Sequence, residues 1–267
     1  MLKDITLGQY FPGDSIVHRL DARCKLIAVF VFIVAIFMAV NFASYALMIV
    51  VTLGMIAVSH IPPKSIMRGL KPVLIIIIFT AVLNAFFTPG KEIFHVWKIA
   101  VTQEGLLRAL FMVLRITLLI AGTLLLTYTT APIALTDGME RLFRPLKVLH
   151  VPVHEMAMMM SMALRFIPTL IEETDKIMSA QRARGADFET GSLVRRAKAL
   201  LPLLVPLFVS AFRRADELAT AMESRCYHGG EGRTALHVLR FKGADYLALG
   251  LFLALAAAVI ALRHFGL

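Results

Sequence analysis

The sequence predicts an all-α, polytopic membrane protein with about five transmembrane helices and a cytoplasmic helical domain between the fourth and fifth spans. Three observations carry this. First, 58% of the 267 residues are hydrophobic and only 17% are charged, whereas a soluble domain carries about half and about a quarter. Second, the apolar residues gather in five long runs that lack the alternation of a membrane barrel. Third, one long segment returns to mixed charge yet keeps helical periodicity. A soluble globule, a disordered chain, a fibre and a disulfide scaffold are excluded together, and the mean hydropathy of +0.77 agrees.

Residues 1–25 form a cytoplasmic N-terminal segment. They hold Lys3, Asp4, Asp14, Arg19, Asp21, Arg23 and Lys25 with no apolar core among them, so no cleavable signal peptide is expected. The spans are read at 26–42, 45–61, 70–87, 106–128 and 244–262, each long enough as helix to cross a hydrocarbon layer of about 30 Å. The first two meet at an uncharged connection around Ala43 and Ser44, which makes them a hairpin. Transmembrane helices 1–4 thus occupy 26–128, a coupling domain fills 129–242, and the last helix lies in 243–267.

Lysine and arginine set the orientation. Lys3, Arg19, Arg23 and Lys25 precede the first span, and Lys64, Arg68 and Lys71 separate the second from the third. The series from Arg141 to Lys242 lies between the fourth and fifth. The other side keeps only Lys91, Lys98, Arg108 and Arg263. The positive-inside rule places the N-terminus in the cytosol and the C-terminus outside a plasma membrane. The net charge of +10 follows from the same loops, so the bilayer is an expected partner and nucleic acid is not. Cys24 and Cys226 both fall on the cytosolic side, where reduced structural thiols are expected.

Within the insert, Met156, Met159, Met160, Ala163, Phe166, Ile167 and Leu170 recur at helical spacing, with Glu172, Glu173, Asp175 and Lys176 on the other face. A second helical tract is read over 193–227, with Pro202 and Pro206 expected to bend it. A shorter one is read over 135–149. The two long tracts end alike. At an offset of 41, Asp175 matches Asp216, Ala180 matches Ala221 and Arg184 matches Arg225, with Ala183 and Ser224 as small residues before the arginines. Two similar helix ends suggest two docking tips for two similar partners. A solvated basic face suited to the helix dipole is the other reading.

Ala183-Arg184-Gly185, behind Ala180-Gln181, resembles the first Ala-Arg-Gly motif of the transmembrane T component of energy-coupling factor transporters, the EcfT and CbiQ-like family. Ser224-Arg225-Cys226 sits where that family has its second. Gly8-Gln9-Tyr10, Asp14-Ser15 and His18-Arg19-Leu20-Asp21 resemble the family's N-terminus. The resemblance implies a coupling subunit that links two cytosolic ATP-binding subunits to a separate, exchangeable substrate-binding membrane S component for vitamin uptake. It implies ATPase docking by Arg184 and Arg225 with their neighbours Ala183, Gly185, Ser224 and Cys226. Serine for alanine preserves a close approach, whereas Cys226 in place of glycine puts a left-handed turn there in question.

No Gly-x4-Gly-Lys-Ser/Thr loop is present to cradle phosphate. The chain is therefore read as a non-enzyme with no catalytic residues, no metal site and no cofactor of its own, and ATP and Mg are expected in the partner subunits. His150 and His154 are separated by Pro152 and lack a zinc-protease glutamate. Met156, Met159 and Met160 admit two readings, core packing or an adaptable interface for interchangeable S components. A stand-alone permease or channel is the alternative function. It draws on Arg115 inside the fourth span, on Asn84 as an interhelical hydrogen-bonding residue in the third, and on the Thr-rich stretch 123–130.

Overall fold

The computed structural model describes residues 10–89, 91–96, 99–186, 188, 192–230 and 240–265. Ten α-helices account for most of them: α1 (Ile16–Arg19), α2 (Ala22–Met38), α3 (Phe42–Ser59), α4 (Pro63–Leu70), α5 (Leu74–Phe87), α6 (Gln103–Thr129), α7 (Pro132–Phe143), α8 (Val153–Ala183), α9 (Leu193–Glu223) and α10 (Gly243–Phe265). One antiparallel hairpin, β1 (Glu92–Val96) with β2 (Ile99–Thr102), joins α5 to α6. The chain divides into two compact units, one drawn from residues 8–141 and 238–267, the other from 142–237.

Four helices of the first unit are long and apolar enough to cross a membrane: Phe42–Ser59, Pro63–Phe87, Gln103–Thr129 and Gly243–His264. In the second of these, α4 runs on through a 3-10 turn at Lys71–Val73 into α5, so the helix starts earlier than the hydropathy reading. The remaining apolar run is α2, 17 residues long, or about 26 Å at 1.5 Å per residue. It begins four residues before the expected span because Asp21 caps it, accepting from Arg23 N–H at 2.9 Å. Its end moves likewise. The turn between α2 and α3 is at Ala39–Asn41, not around Ala43 and Ser44, which belong to α3.

α2 and α10 lie parallel and are tied at both ends. At their starts, Asp21 N–H donates to Asp245 Oδ1 at 2.8 Å, and Cys24 Sγ–H to the Asp245 carbonyl at 3.4 Å. At their far ends, Asn41 Nδ2 donates to the Leu262 carbonyl at 3.2 Å. The apolar core of this unit is built by Phe32, Ile36, Tyr45, Met48, Leu118, Leu255 and Val259 from α2, α3, α6 and α10. Gly122 allows α6 to approach α2, since a Cβ there would lie 2.6 Å from the Phe32 ring. This is the small-residue packing expected where lipid offers no hydrophobic drive between helices.

Among the polar residues inside the spans, Arg115 joins helices while Asn84, Thr123 and Thr127 bond within their own. Arg115 donates to Tyr45 Oη at 3.1 Å and to the Ala39 carbonyl at 3.2 Å, satisfying the end of α2. Asn84 donates to the Thr80 carbonyl one turn back, so its bond is intrahelical, not interhelical as expected. Thr123 and Thr127 likewise donate to carbonyls of their own helix.

Candidate functional site

In the second unit, α8 and α9 are each 31 residues long and run unbroken through Pro168 and through Pro202 and Pro206. They end in the same way. At the end of α8, Gly185 N–H donates to the Arg182 carbonyl at 2.9 Å and Ala186 N–H to the Gln181 carbonyl at 3.0 Å. At the end of α9, Cys226 N–H donates to the Glu223 carbonyl at 2.9 Å and Tyr227 N–H to the Met222 carbonyl at 3.0 Å. Both pairs form a Schellman cap, and each needs one residue in the left-handed region. Gly185 takes it at φ 87° and Cys226 at φ 53°. The turn questioned on the loss of glycine is therefore present at Cys226. Because an L-residue costs about 1–2 kcal/mol there, the second tip is the more strained of the two.

These caps place Arg184 and Arg225 at equivalent positions, each just before the left-handed residue. Both side chains are exposed and have no hydrogen-bond or ion-pair partner among the described residues. Ala183, Ser224 and Cys226 are exposed beside them, and Ser224 Oγ donates back to the Ala221 carbonyl at 3.0 Å. A guanidinium at a helix C-terminus completes the helix dipole and presents a planar set of donors. It is suited to carboxylate or carbonyl acceptors on a partner.

The two helices meet at positions related by the same offset as their tips. Glu173 of α8 accepts from Arg214 of α9 at 2.6 Å and from Ser210 Oγ–H. Glu173 and Arg214 are 41 residues apart, as are Arg184 and Arg225. Each arginine thus stands about 16 Å along its helix from the Glu173–Arg214 contact, at 1.5 Å per residue. Of the adjacent glutamates, Glu172 is exposed while Glu173 is bound into the contact, so the pair is not one uniform solvated face.

Three methionines of α8 are exposed, Met156 by 54%, Met159 by 60% and Met160 by 54%, while Met158, Met162 and Met178 are half-buried. α9 carries a second apolar stripe that the sequence reading missed, formed by Leu200, Leu204, Phe208 and Phe212 with Leu201, Val205 and Val209. Their i, i+4 recurrence was the available signal. His150 lies in a left-handed turn at φ 59° before α8, and His154 lies in its first turn. The two histidines therefore share no helix face.

The N-terminal motif has a structural role in the first unit. Ser15 Oγ accepts from His18 N–H at 3.3 Å and lies 2.6 Å from Nδ1. His18 Nε2–H donates to the Phe11 carbonyl at 3.0 Å, while Phe11 N–H donates to the Tyr128 carbonyl at 3.0 Å. The segment is thereby fixed on the end of α6, although Gly8 and Gln9 lie outside the described residues. Burial raises the Asp21 carboxyl, but the hydrogen bonds and charge of Arg23 outweigh it and hold the group below the usual carboxylate range. Burial also pushes the Cys24 thiol up to about 11, so it stays protonated. Neither cysteine is in a disulfide.

Long apolar helices around a packed core define a multi-pass helical membrane protein. Comparison with known proteins makes this specific. A family model described as CbiQ, cobalt transport protein, matches residues 13–236. The energy-coupling factor transporter transmembrane protein EcfT of Thermosediminibacter oceani is 54% identical over 253 residues, which is 94% of this chain and 96% of that protein. The protein of the same description from Bacillus subtilis is 50% identical over 264 residues, 98% of this chain and 100% of its own. That from Lactococcus lactis is 45% identical over 247 residues, 92% and 93% of the two chains. The chain belongs to this family: it is a transmembrane component of energy-coupling factor transporters, and it is not an enzyme.

Proposed function

We propose that this chain couples two cytosolic ATP-binding subunits to a separate substrate-binding membrane S component that imports a vitamin. The observation that carries this reading is the pair of matched, exposed arginine tips at equal distance from the Glu173–Arg214 contact. Two equivalent tips suit two equivalent partners. Ala183, Gly185, Ser224 and Cys226 shape the tips around Arg184 and Arg225. ATP and Mg belong to the ATPases, and hydrolysis there changes the separation of the two tips. Met156, Met159 and Met160 face the S component, where flexible thioethers accommodate alternative partners. Arg115 is engaged inside the bundle, and Asn84, Thr123 and Thr127 donate to carbonyls of their own helices, which gives each polar group that favours a stand-alone permease an internal partner.

The topology that goes with this function has the N-terminus in the cytosol, five spans and the C-terminus outside. Supporting it, α2 runs parallel to the long apolar α10 and is tied to it at both ends. Reporter fusions at residues 190 and 267 are expected to read cytosolic and external, and a cytosolic residue 267 would refute the five-span count.

The docking reading is tested by pull-down and uptake with Arg184→Ala, Arg225→Ala and the double variant, with Arg182→Ala as control. Losing one partner of a buried charge pair costs about 2–5 kcal/mol, or on the order of thirtyfold to several-thousandfold in affinity. If the two ATPases also hold each other, attachment is bivalent. Single variants are then expected to impair uptake more than assembly, and the double variant to break assembly. A double variant that assembles and transports like the parent ends the two-anchor reading.

A further inference from the structure

We propose that a basic cleft at the ends of α2, α6 and α10 binds the phosphate of an anionic lipid headgroup. The cleft has a volume of about 360 Å³, and its walls include Arg19, Lys25, Thr130, Arg240 and Lys242. All of its lining residues belong to the first unit. Lys25 lies at its base, 6% exposed. Its ammonium donates to the carbonyls of Thr129 at 2.8 Å and His18 at 3.2 Å, and to Thr130 Oγ1 at 3.3 Å. These bonds use all three donors on neutral oxygens, and the carboxylates of Asp245 and Asp21 act on the charge only through space. Such a buried cation is costly unless a negative charge is near.

The oxygens of the cleft's two carboxylates already have hydrogen-bond donors. Asp21 accepts from Arg23, with N···O at 2.9 Å. Asp245, 2% exposed, accepts from the backbone N–H of Asp21 and of Lys242 at 2.8 and 2.7 Å. Meanwhile Arg19, Arg240 and Lys242 are exposed at the rim without an ion pair among the described residues. One buried and three rim cations thus surround a space whose two carboxylates, Asp21 and Asp245, offset only part of the positive charge. Guanidinium and ammonium groups in this arrangement suit a phosphate oxygen cluster.

The surroundings favour a lipid as the source of that phosphate. The cleft lies where membrane helices end, which is headgroup depth whichever way the chain is inserted. Directly beyond Lys242, Tyr246 and Leu247 of α10 are 65% and 67% exposed, so an acyl chain can descend along α10 from a headgroup held in the cleft. Phe241 is packed between Tyr246, at a ring separation of 5.6 Å, and the Arg23 guanidinium, at 4.2 Å. This gives the rim the aromatic-basic character of an interfacial belt.

The test uses the full chain purified in detergent, with lipid retention read by native mass spectrometry. The probes are phosphatidylglycerol, phosphatidylcholine and inorganic phosphate. The cleft variant is Arg19→Gln, Arg240→Gln, Lys242→Gln, and the control is Lys64→Gln, Arg68→Gln, Lys71→Gln. The control residues are exposed and lie outside the cleft. Each basic group near a membrane surface contributes about fivefold to anionic-lipid affinity. Phosphatidylglycerol retention is therefore expected to fall on the order of a hundredfold in the cleft variant and to stay near parental in the control. Phosphatidylcholine should be retained weakly by all three. If inorganic phosphate alone binds the parent and not the cleft variant, and phosphatidylglycerol binds no better, the phosphate site stands with a free anion as its ligand. Equal phosphatidylglycerol retention by the cleft and control variants would overturn the site.

Discussion

The two units of this protein use apolar side chains in opposite ways. In the first, Phe32, Ile36, Tyr45, Met48 and Val259 are at most 1% exposed and lock four helices together. In the second, only Ala157 and Leu203 are buried among the described apolar residues of α8 and α9, while the methionine stripe and the Leu200–Phe212 stripe face outward. The first unit fixes its helices by internal packing and shows lipid whatever apolar surface remains. The second holds its helices together with a partly exposed polar contact at Glu173 and Arg214, which contributes about 1 kcal/mol or less. An element that must move with its partners is better built the second way, because its own packing does not oppose the motion.

Two glycines sharpen this contrast, and they give the largest effect expected. A Cβ at Gly122 would meet the Phe32 ring at 2.6 and 2.8 Å, with no room for that ring to yield. Gly122→Val is expected to destabilise the chain by about 2–3 kcal/mol through overpacking, read as a lower thermal midpoint. At Gly185 nothing lies within 4 Å and only the positive φ matters. Gly185→Asn, which tolerates that region, is expected to leave the midpoint near parental. Equal losses from both substitutions would show that α8 ends in a packed environment after all.

The buried amine of the first unit should make its stability depend on pH. Burial lowers the Lys25 ammonium to about 8 from an ordinary value of 10.5. The folded state therefore holds this proton less tightly than the unfolded state does. Below pH 8 the buried charge is a full cost, and that cost is relieved as pH rises from 8 to 10.5. In lipid-free detergent, stability should gain on the order of 2–3 kcal/mol across that window, and Lys25→Met should abolish the gain. A parental chain that does not gain there would mean that Lys25 has an anionic partner in detergent as well. α8 and α9 bury no such group among their described residues, so the rise belongs to the first unit.

Much of this contrast was legible in the sequence, and the rest was hidden for identifiable reasons. The tips were legible because their arginines recur at a fixed offset, and a Schellman cap needs only local sequence. The start of α2 was not, because hydropathy discounts a first turn holding Arg23 and Lys25, and only the cap at Asp21 shows that the helix has begun. Lys25 read as an ordinary loop charge, and Asp245 fell at the start of the expected last span with no role assigned to it. Their burial depends on α2, α6 and α10 meeting, a tertiary fact with no local signature. The stripe on α9 was present in the spacing but was overshadowed by the prolines within it.

The exposed stripe on α8 gives an effect of intermediate size. Met156→Val, Met159→Val, Met160→Val keeps the surface apolar but makes it stiff, since β-branched side chains are restricted at χ1. If interchangeable S components rest there, uptake of different substrates is expected to fall unequally, with severalfold differences between them in a vesicle assay. Equal losses for every substrate would return the methionines to a purely structural role and remove one distinction between the units.

The smallest expected effect concerns the strained tip. Cys226 holds φ 53° with a side chain that disfavours it, while Gly185 holds φ 87° with none. Cys226→Gly removes the steric cost of about 1–2 kcal/mol but adds backbone freedom to the unfolded chain, worth about 0.5–1 kcal/mol. A net gain of about 0.5–1 kcal/mol at the end of α9 is expected. Amide hydrogen exchange is the fitting measurement, because the N–H groups of Cys226 and Tyr227 close the cap, and both should exchange about two- to fivefold more slowly in relative terms after correction for intrinsic rates. Exchange at Gly185 and Ala186 should be unchanged, since nothing in that cap is altered. Faster exchange at Tyr227 in the variant would mean that the cysteine side chain stabilises the turn, and the two tips would then be alike in geometry but not in what holds them.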